Sequence, residues 1–84
     1  MMQQGNGGIT GPNTATPGTT ITVKVSNGEK TVTVTGGGKM KDYPVVNGQA
    51  TVQVPSDVPV GQSFWVFAKK GKDTSYLRVE VIEN

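Results

Sequence analysis

The feature that most constrains this chain is a two-residue period. Ile21, Val23 and Val25 alternate with Thr20, Thr22, Lys24 and Ser26, and Val32 and Val34 alternate with Thr31, Thr33 and Thr35. The same rhythm returns in Ala50, Val52 and Val54, and again in Leu77, Val79 and Val81. Successive side chains of a strand point to opposite faces, so each run makes a ribbon with one apolar and one polar side. No segment places apolar residues three and four apart over a helical length. Thirteen valines and eleven threonines reinforce extended structure, because branched side chains suit a pleated surface.

Turn chemistry divides the ribbons. Asn27-Gly28 and Asn47-Gly48 are hairpin signals, since both residues tolerate positive φ. Gly36-Gly37-Gly38 ends one strand, and its glycines permit an edge bend or bulge. Residues 39–42 (Lys-Met-Lys-Asp) read as a charged loop. Pro55 stops another strand, and residues 55–62 form a connection with two prolines. The next strand runs from Ser63 to Lys69, followed by a turn at 70–73. Five long strands and one short one, punctuated every eight to twelve residues, predict an all-β antiparallel sandwich, with a five-stranded OB-like barrel as the alternative.

The first 19 residues differ. They hold Gly5, Gly7, Gly8, Gly11, Gly18, Pro12 and Pro17 among Gln, Asn and Thr, and no charge precedes Lys24. Such a stretch has little apolar surface to offset its ordering entropy. It is expected to be a flexible or extended arm over 1–19, with the sandwich domain at 20–84. An uncharged arm of this kind suits docking along a partner by backbone hydrogen bonds, and Ile9, Pro12 and Pro17 are its candidate contact residues.

The segment from Asn47 to Gly61, with Pro55 at the strand end and a Val58-Pro59-Val60-Gly61 corner, resembles the second half of bacterial and phage immunoglobulin-like domains. The strands at 64–68 and 77–82 fit the same scheme, and residues 17–23 are similar to the usual first strand. The resemblance covers residues 17–83. It implies a small immunoglobulin-like β-sandwich with a structural, adhesive or assembly role and no active site. The chain departs from antibody-type domains in having no cysteine pair and in carrying its one tryptophan on a late strand.

Composition removes much chemistry. With no cysteine and no histidine among 84 residues, there is no thiol nucleophile, Ser-His-Asp triad, Cys/His zinc site or disulfide. Gly36-Gly37-Gly38-Lys39 lacks the spacing of a phosphate loop. The six carboxylates, Glu29, Asp42, Asp57, Asp73, Glu80 and Glu83, read as solvated turn and edge charges. The expectation is a protein that is not an enzyme and uses no cofactor or metal. No run is long enough to span a membrane as a helix, and no secretory signal is visible at the start. A net charge of +2 argues against nucleic acid by bulk charge.

One strand stands out. Phe64, Val66 and Ala68 point one way, and Trp65 and Phe67 the other, so it is apolar on both faces. Either the arm or a loop covers Trp65 and Phe67, or they form an exposed binding patch. Tyr76 and Ile82, outward on the last strand, would extend it. The leading expectation is a structural assembly protein, such as a small phage capsid decoration or cementing protein. It would dock through its arm and this strand onto a protein partner or its own copies, in a virion or in the producing cell's cytoplasm. That reading takes Met1 as a native start. The alternative is an adhesion or glycan-binding module of a larger bacterial surface protein, working through Trp65. A third is a single-stranded nucleic-acid-binding barrel, with Trp65, Phe67 and Tyr43 stacking bases and Lys39, Lys41, Lys69, Lys70 and Lys72 on phosphates.

Overall fold

The computed structural model describes residues 8–26, 29–70 and 73–83. Among these residues there are eight strands: β1 (Ile9–Thr10), β2 (Thr14–Ala15), β3 (Thr20–Val25), β4 (Thr31–Gly36), β5 (Lys39–Pro44), β6 (Gln49–Gln53), β7 (Ser63–Lys70) and β8 (Asp73–Val81). They form a three-stranded sheet, β1-β3-β6, packed on a five-stranded sheet, β2-β8-β7-β4-β5. The fold is an all-β sandwich, with two sheets in place of a closed five-stranded barrel.

The alternation seen in the sequence builds the core directly. Val23, Val25, Ala50 and Val52 of the smaller sheet face Val32, Val34, Phe64, Val66, Leu77 and Val79 of the larger, and all ten are buried. Val54 and Val58 close one end of this layer. Interleaving side chains from two inner faces is how a sandwich removes apolar surface from water.

The N-terminal segment departs from the expected arm. Residues 8–15 belong to the sandwich, as the outermost strand of each sheet. β1 pairs antiparallel with β3, Ile9 opposite Val25. After Gly11-Pro12 the chain changes sheets, and β2 pairs with β8 in parallel, Ala15 opposite Val81. The sandwich is therefore not wholly antiparallel. Pro12 has no N–H to continue the first ladder. Gly11 lets the backbone pass close to the core, since a Cβ there would sit 2.9 Å from Leu77 Cδ2. Backbone bonds hold the segment: Glu80 N–H donates to Asn13 O at 2.8 Å, and Ile82 N–H donates to Ala15 O at 2.9 Å. Gly8 N–H donates to the buried Ser75 Oγ at 3.1 Å. Residues 1–7 lie outside the described residues.

Three turn expectations are also corrected. Residues 39–44 form a strand, where 39–42 are expected from the sequence to be a charged loop. Gly37 and Gly38, with φ of 61° and 78°, make a two-residue hairpin that pairs Gly36 with Lys39. Asn47-Gly48 has the expected left-handed geometry, φ of 55° and 78°, and Val46 and Gln49 exchange hydrogen bonds across it. The strands it joins, β5 and β6, nevertheless lie in different sheets. So do β3 and β4, so no β3–β4 hairpin exists, and Asn27-Gly28 lie outside the described residues.

Candidate functional site

The two outer faces of the sandwich have opposite chemistry. The smaller sheet presents Thr22, Lys24, Gln49, Thr51 and Gln53, all exposed and polar. The larger sheet presents an aromatic cluster at its centre. Strand parity aims Phe64, Val66 and Ala68 inward, so Trp65 and Phe67 must face out.

Register defines the site. Trp65 lies between Thr35 of β4 and Arg78 of β8. Phe67 lies between Thr33 and Tyr76. Trp65 and Tyr76 are thus diagonal neighbours across the β7–β8 ladder, a spacing that long rings can bridge. Their rings meet edge to face, with centroids 5.6 Å apart and planes at 63°, the arrangement favoured by the ring quadrupole. Trp65 is 39% exposed and Tyr76 41%, while Phe67 is half-buried. Together with Thr35 and Thr74 they wall a shallow, open depression. On β5, Met40 and Asp42 lie beside Thr35 and Thr33. Thr33 Oγ1 donates to Asp42 Oδ1 at 2.8 Å.

Of the residues singled out from the sequence, Trp65, Phe67 and Tyr76 come together. Ile82 is exposed but lies beyond the end of β8, separated from the rings by Arg78 and Glu80. Ile9 is fully enclosed in the core, so it is not a surface contact. Pro12 and Pro17 are exposed, Pro12 at the crossover between β1 and β2. Pro17 sits in a Thr16–Thr19 turn completed by Gly18 at φ 78°, the type II arrangement of Pro followed by Gly. The described part of the N-terminal segment runs along the β3 and β8 edges and leaves the rings uncovered. Sequence reasoning missed Thr33, Thr35, Met40, Asp42 and Arg78 as neighbours of the rings. Their outward parity was readable along 31–35 and 76–80, but their adjacency depends on which strands pair.

A second recess of about 310 Å³ lies under β5, which overhangs the narrower sheet. Val34, Tyr43, Val54 and Pro55 line it, with Lys39 and Lys41 on its wall. Lys39 Nζ pairs with Asp57 at 3.0 Å. Lys41 Nζ lies 5.5 Å from the Tyr43 ring centroid. Tyr43 pairs with the inward-facing Val32, so it faces away from Trp65 and Phe67. Tyr43 therefore does not share a stacking face with Trp65 and Phe67. The side chains of Lys69, Lys70 and Lys72 lie outside the described residues. Glu29, expected to be solvated, is 7% exposed beside the start of β4.

No protein-family model, curated protein or solved structure matches the chain.

Proposed function

We infer that this chain is a non-enzymatic assembly protein that docks onto a protein partner through the outer face of its five-stranded sheet. The observation that carries the reading is the contrast between the two outer faces. Three aromatic rings sit on one, and among the described residues the strands of the other present only Thr, Lys and Gln. A monomeric sandwich gains nothing from leaving Trp65 and Tyr76 in water, and compact aromatic clusters with a polar rim are the usual anchors of protein interfaces. Strand order supports the immunoglobulin-like resemblance. β3 and β6 share one sheet, while β4, β5, β7 and β8 share the other, as in the two sheets of that sandwich. Within this reading the chain serves as a small virion component, such as a capsid decoration or cementing protein.

The test is site-directed cross-linking in the cells that naturally produce the chain. Benzoylphenylalanine replaces Thr35 on the aromatic face or Thr51 on the opposite face. The expected result is one defined cross-linked polypeptide from position 35 and none from position 51. Equal yields from both positions, or none from position 35, would overturn the reading.

The same Trp65–Tyr76 corner, flanked by the Thr35 and Thr74 hydroxyls, is the one observation that favours a glycan-binding module. Quenching of Trp65 emission by added sugars would support that second reading.

A further inference from the structure

The aromatic face has an internal order that points to its occupant. Its two central strands carry side chains of opposite size at matched register. β7 presents Trp65 and Phe67, and β4 presents Thr35 and Thr33 directly beside them. The face is therefore a ridge next to a trough. Beside the rings the flanking strands bring opposite charges, with Glu80 further along β8 opposite Ser63. β5 presents Met40 and Asp42 on one side, and β8 presents Arg78 and Tyr76 on the other. Among the described side chains, the two central strands bring no charge between them beside the rings.

A surface of this kind is complementary to itself. A two-fold axis parallel to the strands, midway between β4 and β7, lays each β7 over the other copy's β4. Trp65 then rests on the partner's Thr35, and Phe67 on the partner's Thr33. The same rotation lays β8 over the other copy's β5. Arg78 faces the partner's Met40, and the partner's Asp42 lies two residues along that strand. Two residues span about 7 Å, within reach of a guanidinium. Strand directions stay aligned, as in ordinary sheet-on-sheet packing. The contact is isologous, so it closes at two copies.

We propose that the protein partner of this face is a second copy of the same chain, packed sheet to sheet about this axis. The inference rests on reading the face as a docking surface, and it adds the identity of the partner. Four strands about 4.8 Å apart and six residues long give a footprint of about 400 Å² per copy. The two copies together bury about 800 Å², less than the roughly 1,000 Å² of a stable specific interface, so the dimer is weak and forms and dissociates with concentration.

The experiment is light-scattering mass and sedimentation equilibrium on the purified full chain, from ~1 μM to ~1 mM. The expected result is a rise from monomer to dimer mass and no further. Thr35→Arg puts a charge under the partner's Trp65 and is expected to hold the chain monomeric, with an unchanged circular dichroism spectrum. Thr51→Arg, on the opposite face, is expected to dimerise as the wild type does. Asp42→Arg and Arg78→Asp are each expected to weaken association about tenfold, and the double exchange to restore it.

A wild-type monomer at every concentration overturns the proposal. So does a dimer that Thr35→Arg leaves intact, or a double exchange no better than either single change. If the purified chain stays monomeric while position 35 still cross-links to another polypeptide in cells, self-pairing fails and the docking reading stands. If neither occurs, both fail.

Discussion

Replacing Ile9 by alanine tests whether the N-terminal segment belongs to the core. Ile9 has no exposed surface and packs between the sheets. The change removes three carbons, worth roughly 0.8 kcal/mol each in transfer free energy. The cavity left behind adds to this, and such truncations cost about 2–5 kcal/mol in total. A domain of this size holds only about 4–13 kcal/mol of stability. A loss near 3 kcal/mol would lower Tm by roughly 12–24 °C. The assay is urea and thermal unfolding at low protein concentration, where association adds nothing by mass action. The urea slope is expected to stay constant, because the surface exposed on unfolding barely changes. Ile82→Ala is the control. Ile82 is 38% exposed, so its truncation should cost about 1 kcal/mol or less. If Ile9→Ala costs no more than Ile82→Ala, residues 8–15 are an appendage and not part of the core.

Gly36→Ala should destabilise. The added Cβ would lie 2.8 Å from Phe64 Cβ and 2.9 Å from Val58 Cγ2. Overpacking of about 1–3 kcal/mol exceeds the gain of about 0.4–1 kcal/mol from a stiffer unfolded chain, and a higher Tm would contradict this. Lys39→Ala should change stability by less than about 0.5 kcal/mol, with little dependence on salt. The Lys39–Asp57 pair is close at 3.0 Å, but its side chains are 78% and 48% exposed, where solvent screening leaves an ion pair little net value. Chemical denaturation at two ionic strengths checks it.

The strands legible in the sequence were those whose inner positions are Val, Leu, Ala or Phe. β3, β4, β6, β7 and β8 announce themselves because their burial alternates with period two. β5 was missed because it is an edge strand that overhangs the smaller sheet. Its side chains are mostly exposed, so Lys39, Met40, Lys41 and Asp42 carry no alternation to read. β1 and β2 were missed for a different reason. Each is two residues long, below any periodic window, and the surrounding glycines, prolines and threonines resemble a tail. Only Ile9 and Ala15 hint at a buried side. Asn47-Gly48 signals a tight turn, and φ of 55° and 78° fit it, but turn type does not say whether the flanking strands share a sheet. The aromatic cluster was half legible. Parity placed Trp65 and Phe67 on one side, whereas the neighbours that shape the face come from long-range pairing.

The divided first strand has a consequence for how the molecule is made. Its partners lie at opposite ends of the chain, and the Gly8–Ser75 bond spans 67 positions. β2 can pair only once β8 exists. Contacts of such high sequence separation slow folding, because loop-closure entropy is lost before they form. On the ribosome, β3 to β6 can emerge and begin to associate, but Ile9 and Ala15 have no complete core to enter until Val81 has been synthesised. Closure of the sandwich therefore waits on β8. Until then the ring-bearing β7 has β4 alone as a sheet neighbour.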